Sequence, residues 1–387
     1  MTRRDRHGRR GGFRGFLSDY TRDLTSDDVR RLFTRDAVDA YRFFSKGLDP
    51  DALALKSWPG RIWTRVRLVV LAFAFKLSPP RRLVFGLGLL LTLLGLLQSC
   101  QGVQTARLPP GVGVPAPDWG PGVFWMLLGF LLTNLLVLVE VYDRLSLKND
   151  LDIAREIQLA MLPQSTWETA GALAYGVTRP ANTVGGDFYD IIPRDNGRVI
   201  VALGDVAGKG SPAALLMALL LAMFRTLLDE RLGLAALAER LNLQVRRHAP
   251  ASRFITLFFG EYDPSTGILV YVNAGHTPPL LRRAADESCE RLAGGSVALG
   301  MFEGSRYETS TVVLSPGDVL VLYSDGVTEA EDPQGHPFEE AGLERVVASR
   351  ADAPPKEIAD GVFRAVESFT DLARLADDLT ILVLRRI

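Results

Sequence analysis

The chain has 387 residues, with 44 Lys and Arg residues against 45 Asp and Glu residues and a formal net charge of -1. This length allows two or more domains, and the balanced charge gives no general electrostatic reason to expect a nucleic-acid partner. Cys100 and Cys289 are the only cysteines, which excludes a disulfide framework or a CxxC site. The histidines lack the HExxH spacing of zinc hydrolases.

Residues 1–64 are predicted to form a small N-terminal region, to which the sequence assigns no chemistry. Six arginines crowd into its first 14 residues. Such a cluster can contact anionic lipid or a nucleic acid, or it can be a solvated tail, which is the more common case.

Two long apolar segments follow, residues 83–100 and 123–142, within a predicted membrane region of residues 65–142. Each is close to the ~20 residues that span a bilayer, and neither has the polar face that a soluble surface helix shows. Basic residues precede the first segment and follow the second, whereas the connection between them has only Arg107. The positive-inside rule therefore predicts two transmembrane helices with both chain ends in the cytoplasm.

Helical periodicity continues after the second segment into a predicted helical linker, residues 143–165. Apolar residues recur there at steps of three and four: Leu147, Leu151, Ala154, Ile157 and Met161. This stripe fits a two-stranded coiled coil in a homodimer, and it fits packing on the chain's own C-terminal domain. Too few heptads are present for the pattern to decide between the two.

Residues 166–387 alternate short strands and turns with helices, which predicts an α+β domain. The predicted helices are residues 212–228, 234–247, 339–349 and 355–369. The predicted strands are residues 173–178, 188–192, 199–205, 254–262, 268–273, 311–314, 319–324 and 379–384. The apolar stretch 213–224 is too short to span a bilayer and is expected to be a buried core helix.

Four acidic clusters in this domain stand at strand ends. Asp187 follows two glycines, which allow close backbone approach and positive φ; Asp205 and Asp325 end apolar runs, and Asp377-Asp378 precedes the last run. Carboxylates gathered at one edge repel one another, which raises their pKa unless cations neutralise them. All-oxygen ligands select Mg²⁺ or Mn²⁺, and two such ions support attack of water on a phosphate ester.

Several ordered motifs stand in about the last 235 residues. They are I-A-R-E-I-Q-L-A-M-L-P at 153–163, V-G-G-D-F-Y-D at 184–190, G-D-V-A-G-K-G-S-P-A-A-L at 204–215, N-A-G-H at 273–276, Y-S-D-G-V-T-E at 323–329 and D-D-L-T at 377–380. Together they resemble the PPM-type metal-dependent serine/threonine phosphatases, in particular their bacterial SpoIIE/RsbU branch.

The resemblance implies an α/β/β/α four-layer sandwich and a centre of two Mn²⁺ or Mg²⁺ ions. Carried across, Asp187, Asp205, Asp325 and Asp377 would be catalytic metal ligands together with the Val206 carbonyl oxygen. Because the aspartate is doubled, Asp378 competes with Asp377 for the last place. The implied substrate is a phosphoserine or phosphothreonine protein, typically an anti-sigma-factor antagonist of the STAS type, and the implied location is a bacterial inner membrane.

The sequence departs from many eukaryotic members of this family. In those proteins a histidine proton donor stands just after the Asp-Gly of the motif that corresponds to residues 204–215 here. Val206 and Ala207 stand there, so the general acid is unassigned. Lys209 and His276 are candidates for substrate binding, although a turn histidine beside a strand is more often structural. Residues 329–338 are a candidate flap over the site.

Two other functions fit parts of the sequence. A pseudophosphatase that binds its partner without turnover is the main alternative, and the full set of acidic residues counts against it. A nucleotide cyclase would explain the Gly-Gly-Asp string, but that motif requires an acidic residue where Phe188 stands.

Overall fold

The computed structural model describes residues 70, 74–75, 77–100, 103–108, 112–117, 120–250, 252–371 and 375–387. The predicted N-terminal region, residues 1–64, lies outside these ranges. The chain divides into two compact units between Arg144 and Leu145. Each unit is described separately below.

The first unit contains an apolar helix, a strand pair and the first part of a second, longer helix. Helix α1 is Pro79–Cys100, strands β1 and β2 are Val103–Leu108 and Val112–Pro117, and helix α2 is Gly120–Met161. In the connection between the two apolar helices, β1 and β2 pair antiparallel, from Val103 opposite Pro117 to Leu108 opposite Val112.

Helices α1 and α2 approach each other closely through small residues. A Cβ atom added at Gly122 would clash with the carbonyl oxygen of Gly95, and one at Gly129 would lie 2.5 Å from that of Gly88. Such backbone contact is typical of helix pairs in membranes. The hydrophobic effect does not drive helices together there, and small residues allow the close van der Waals packing that does. Arg81 on α1 also pairs with Glu140 on α2 at 3.0 Å.

Three helices in the described residues are long and apolar enough to cross a membrane, judged by length and composition. Two are α1 and α2. The third is helix α3, Ser211–Leu228, which belongs to the second unit and buries eight residues in its core. This placement agrees with the prediction of a buried core helix for residues 213–224.

The second unit is built on two antiparallel sheets. One has the strand order β10-β9-β12-β13-β4-β3 and the other β11-β8-β7-β6-β5. All eight predicted strands are present, and the three that the sequence did not indicate, β3, β9 and β10, have only three or four residues. The strands are β3 Thr166–Thr169, β4 Ala172–Arg179, β5 Phe188–Pro193, β6 Val199–Val206, β7 Ile255–Asp263, β8 Ile268–Ala274, β9 Leu280–Arg282, β10 Cys289–Arg291, β11 Ser310–Val313, β12 Val319–Tyr323 and β13 Leu379–Arg386.

Helices cover the outer faces of both sheets, which gives the expected four layers. They are α3, α4 Leu234–His248, the short α5 Asp325–Thr328, α6 Glu339–Ser349 and α7 Pro355–Phe369. Alternate residues of one strand enter different cores, as in β6, where Val201 and Leu203 pack between the sheets and Ala202 packs under α3. In β13, Leu382 faces the other sheet and Ile381 faces α7. The predicted α/β/β/α sandwich is confirmed.

Within the second unit, the end of α2 follows most of the predicted stripe, since Leu151, Ala154 and Met161 are half-buried. Gln158 is buried, whereas Ile157, assigned to the stripe from the sequence, is 59% exposed. The buried stripe therefore runs through a polar residue. The helix end is also held by Arg225 of α3, which donates to the Met161 carbonyl oxygen at 2.8 Å and pairs with Asp190 at 2.7 Å.

Substituting Arg225→Met should destabilise the domain. Asp190 is 1% exposed, so loss of the guanidinium leaves a buried carboxylate without its partner. Removing one member of a fully buried pair costs about 3–5 kcal/mol, and the cost here is smaller because the Arg225 side chain is 39% exposed and solvent screens the pair. We expect the free energy of unfolding, measured by denaturant titration of the detergent-solubilised chain, to fall by about 2 kcal/mol. The exposed Arg364→Met on α7 is the matched control, and an equal effect of both variants would contradict the prediction.

Candidate active site

The acidic clusters meet at one edge of the sandwich, where strands of both sheets end. Asp187 directly precedes β5 and Asp205 is the penultimate residue of β6, both in the five-stranded sheet. Asp325 begins α5 with one residue between it and the end of β12, and Asp377-Asp378 directly precedes β13; both strands belong to the six-stranded sheet. Because β5 pairs with β6 and β12 pairs with β13, the topology gathers the carboxylates in one place.

Asp187 is the most deeply buried of these carboxylates. It is 3% exposed, and its Oδ2 atom is buried without a hydrogen-bond partner. Burial and the neighbouring charge of Asp205 raise the pKa of Asp187 well above its usual value. An unpaired buried carboxylate oxygen is unfavourable unless a cation or a proton compensates it.

The two glycines before Asp187 allow other groups of the acidic cluster to come close to the backbone, and they have no other evident role. The expectation of positive φ is wrong, since neither glycine is among the residues with positive φ. A Cβ atom at Gly185 would overlap Oδ2 of Asp378, and one at Gly186 would lie 2.9 Å from the Val206 carbonyl oxygen and 3.1 Å from Oδ1 of Asp205. The missing side chains therefore make room for the carboxylates and the carbonyl group.

Asp205 and Asp325 are partly buried beside each other. Burial, and then the charge of Asp325, raise the pKa of Asp205 to about 6. Burial, and then the charge of Asp377, raise the pKa of Asp325. Both shifts are in the direction expected for clustered carboxylates without a neutralising cation.

Asp377 and Asp378 have different surroundings. Both carboxylate oxygens of Asp378 accept backbone hydrogen bonds at 2.8 Å, Oδ1 from the Ala181 N–H and Oδ2 from the Gly186 N–H. Asp377 is 41% exposed and its Oδ2 pairs with Lys209 Nζ at 2.7 Å. Asp378 thus holds the loop before β5, whereas the Lys209 partner of Asp377 lies at the surface and can be replaced by another cation.

The donor set fits a divalent cation. In the part of the chain that the structure describes, no group of three or more Asp, Glu, His or Cys side chains is arranged to hold an ion as it stands. In the same structure Asp377 is paired with Lys209, and Asp378 accepts two backbone hydrogen bonds. The unpaired oxygen of Asp187 and the raised pKa values of its neighbours are nevertheless the features that a cation would relieve.

Comparison with known proteins identifies the domain. Residues 195–387 match the family model described as Stage II sporulation protein E (SpoIIE). The chain carries a phosphatase domain of the SpoIIE family. Asp205, Asp325, Asp377 and Asp378 lie inside the matched residues of this SpoIIE-family domain, and Asp187 lies just before them.

Two relatives and one solved structure agree with this assignment. The chain is 29% identical to phosphoserine phosphatase RsbU of Bacillus subtilis over 244 residues, 62% of this chain and 71% of RsbU. It is 27% identical to protein IcfG of Synechocystis over 65% of this chain and 43% of IcfG. The SiaA-PP2C domain of Pseudomonas aeruginosa has the same fold, with a TM-score of 0.54 and 22% identity over 63% of this chain and 98% of that one.

The two candidate substrate residues of the SpoIIE-family domain are placed differently. Lys209 is half-exposed at the acidic cluster, where Nζ donates to the Ala376 carbonyl oxygen at 2.8 Å besides pairing with Asp377. His276 is buried, with Nδ1 3.0 Å from the Thr256 hydroxyl and Nε2 without a partner. Burial lowers the pKa of His276 to about 4, so the ring is neutral at pH 7. This placement favours the structural role.

The candidate flap is an ordered turn beside the cluster. Glu331 and Pro337 form a bridge, and Asp332 accepts hydrogen bonds from the backbone N–H groups of Gln334 and His336. A cleft of about 370 Å³ lies against this turn, and Lys209 and Asp377 are among its lining residues. Larger clefts of about 580 and 590 Å³ lie elsewhere and are lined by mixed acidic and basic residues.

Sequence reasoning missed two polar groups close to the cluster. One is Gln158, whose position in an apolar helical stripe was the available signal. The other is Glu329, whose pKa is raised by partial burial and then by the charges of Asp325 and Asp377. Glu329 was visible only as the last residue of a motif, without a role.

The buried His276 should make the domain sensitive to acid. Its folded pKa of about 4 lies below the unfolded value of 6.5, so the unfolded state takes up the proton first as the pH falls. Stability is therefore complete above pH 6.5 and is lost toward pH 4, by about 2–3 kcal/mol at pH 4.5. We expect His276→Asn, which keeps a polar group near Thr256, to lose that much less stability than wild type between pH 7 and pH 4.5.

The measurement is the free energy of unfolding of the full chain in detergent at the two pH values. His248→Asn, an exposed histidine on α4, is the control and should behave as wild type. If His276→Asn loses as much stability as the wild type on acidification, the ring is not buried in its neutral form.

Proposed function

We propose that this protein is a membrane-anchored, metal-dependent phosphatase that hydrolyses phosphoserine or phosphothreonine on a protein partner. The observation that carries the proposal is the gathering of four acidic clusters from two sheets, with a buried, unpaired Asp187 oxygen. Membership of the SpoIIE family and the resemblance to RsbU support a role in partner-switching signalling. The substrate proposed is an anti-sigma-factor antagonist of the STAS type.

In this proposal Asp187, Asp205, Asp325 and Asp377 hold two Mn²⁺ or Mg²⁺ ions, with the Val206 carbonyl oxygen as a further ligand. Asp377 is preferred to Asp378, because both oxygens of Asp378 already accept backbone hydrogen bonds. Bound ions of this kind lower the pKa of a water molecule and polarise a phosphate ester. Hard cations with oxygen ligands fit the donor set, which contains no sulfur or imidazole.

Charged side chains line the cleft beside the proposed metal centre and are proposed to select the substrate. Lys209 brings a positive charge to the rim of the cleft, where it can attract an anionic phosphoprotein. Glu329 and Asp332 line the same cleft and would disfavour acidic residues beside the phosphorylated one. The turn of residues 329–338 is proposed as the flap. His276 is proposed as a structural residue, and the general acid is unassigned.

The chain is further proposed to lie in a bacterial inner membrane, with α1 and the first part of α2 as its two spans. Their length and apolar composition support this placement, and the distribution of basic residues supports a cytoplasmic N-terminus and phosphatase domain. A homodimer through the linker part of α2 is proposed as well, because Ile153 and Ile157 remain exposed on it. Burial of the Gln158 side leaves that outer face for a second copy.

The decisive experiment measures phosphate release by the full chain in detergent. We expect Mn²⁺-dependent hydrolysis of p-nitrophenyl phosphate and of a phosphoserine STAS protein, abolished by EDTA. Asp205→Asn should reduce it by about 100-fold or more, since loss of even an outer-shell partner of a metal costs 10- to 100-fold. Asp195→Asn, an exposed aspartate of the same domain, should retain wild-type turnover.

The alternative of a pseudophosphatase gives a different result. The wild-type chain would then bind Mn²⁺ and the phosphoprotein, yet release no phosphate at any metal concentration. Turnover that persists in Asp205→Asn would instead contradict the assigned metal centre.

Membrane topology is tested by cysteine labelling in intact cells with a membrane-impermeant maleimide. The background is a chain with Cys100→Ser and Cys289→Ser. We expect Thr105→Cys, between the proposed spans, to be labelled in intact cells. Glu308→Cys, exposed on the phosphatase domain, should be labelled only after permeabilisation. Labelling of Glu308→Cys in intact cells would reverse the proposed orientation.

A further inference from the structure

Gln158 is a buried polar residue near the C-terminal end of α2, and its side chain is 6% exposed. Its Nε2 donates to the Gly185 carbonyl oxygen at 2.9 Å, and its Oε1 accepts from the Gly185 N–H at 3.2 Å. The amide thus satisfies both backbone groups of one residue that lies 27 positions further along the chain. A buried pair of this kind fixes backbone geometry, because leaving either group unpaired is unfavourable.

The peptide unit that Gln158 contacts is also held from its other side. The carbonyl group of Gly185 and the N–H of Gly186 belong to the same peptide bond, and that N–H donates to Asp378 Oδ2 at 2.8 Å. Gly185 has no room for a side chain, since a Cβ atom there would overlap the Asp378 carboxylate. The segment is therefore clamped between a helix side chain and the acidic cluster.

Asp187 is the next residue after this clamped peptide unit. Its carboxylate is buried. The direction of its side chain is set by the backbone of residues 185 and 186. Three residues further on, Asp190 is held by Arg225, which also donates to the last residue of α2. The helix end is thus tied to the chain on both sides of Asp187.

We propose that Gln158 is a positioning residue that sets the metal affinity of the site by fixing the Gly185–Gly186 peptide. This inference rests on the proposed function, in which Asp187 is a metal ligand. Gln158 itself touches neither metal nor substrate. It makes the last turns of α2 part of the support of the metal centre, so a shift of the helix end changes how well Asp187 is placed.

A purely structural role of Gln158 predicts a different pattern. If it only fills space under α2, then a side chain of equal length without hydrogen bonds should preserve metal binding. Gln158→Met makes that separation, because methionine matches the length of glutamine and lacks its amide. Partners that orient metal ligands typically contribute 10- to 100-fold to metal affinity.

The test is calorimetric titration of Mn²⁺ alone into the full chain in detergent, beside phosphate release as a function of Mn²⁺ concentration. We expect Gln158→Met to bind Mn²⁺ 10- to 100-fold more weakly, and its turnover to recover largely at saturating Mn²⁺. Glu156→Gln, exposed on the same helix, is the control and should keep wild-type affinity. A thermal unfolding scan without metal establishes that each variant is folded.

Equal Mn²⁺ affinity of folded Gln158→Met and wild type would overturn the inference and leave the proposed function intact. If Gln158→Met does not fold, Gln158→Asn takes its place, because its amide is one methylene too short to keep both bonds, and the same loss of affinity is expected. A wild type that binds Mn²⁺ without hydrolysing any phosphoprotein would overturn the proposed function, while the affinity comparison still decides the role of Gln158. A wild type that binds neither Mn²⁺ nor Mg²⁺ would overturn both.

Discussion

Mutual repulsion among five aspartates is the constraint that the phosphatase domain has to satisfy. Carboxylates that stand apart in the sequence are brought to one edge of two sheets, where burial raises the pKa of Asp187, Asp205 and Asp325. Without the surrounding fold these groups would separate into solvent, because unfavourable charge contacts and desolvation act together. The cores on both sides of each sheet supply the rigidity that keeps them in place.

Polar groups close to the cluster offset part of this repulsion. Hydrogen bonds from two backbone N–H groups stabilise the charge of Asp378, and the ammonium group of Lys209 pairs with Asp377. Asp187 has no comparable partner for its Oδ2 atom. The negative charges of the cluster are therefore compensated unevenly. Asp187 is the least compensated and the most deeply buried, so a divalent cation would stabilise the cluster most at that residue.

Local signals in the sequence were sufficient for the strands, the helices and the set of acidic residues, and the resemblance to a phosphatase family supplied the four-layer arrangement. Alternating apolar residues indicated the long strands, and each aspartate stood at the end of one. Strands β9 and β10 were missed because three residues are too few for a periodic signal. Residues whose roles depend on distant contacts could not be predicted. Nothing near Gln158 in the sequence indicates that its amide binds Gly185, and nothing beside His276 indicates its burial.

Position 157 on α2 shows where periodicity alone was misleading. Hydrophobicity favoured Ile157 as the buried position, since an isoleucine is more often buried than a glutamine. The structure buries Gln158 instead, because the loop before β5 presents backbone groups that require a polar partner. A helix can therefore face its domain with a polar residue and leave an isoleucine outside.

The close packing of α1 and α2 bears on how the N-terminal unit can move. Where Gly95 and Gly122 meet, the two main chains are in contact, and the side chains of Ser99 and Met126 lie beside them. Sliding one helix along the other would bring backbone atoms into collision, and a change in crossing angle would open a void on one side. The two helices therefore move together as one body, so a displacement of either one displaces both.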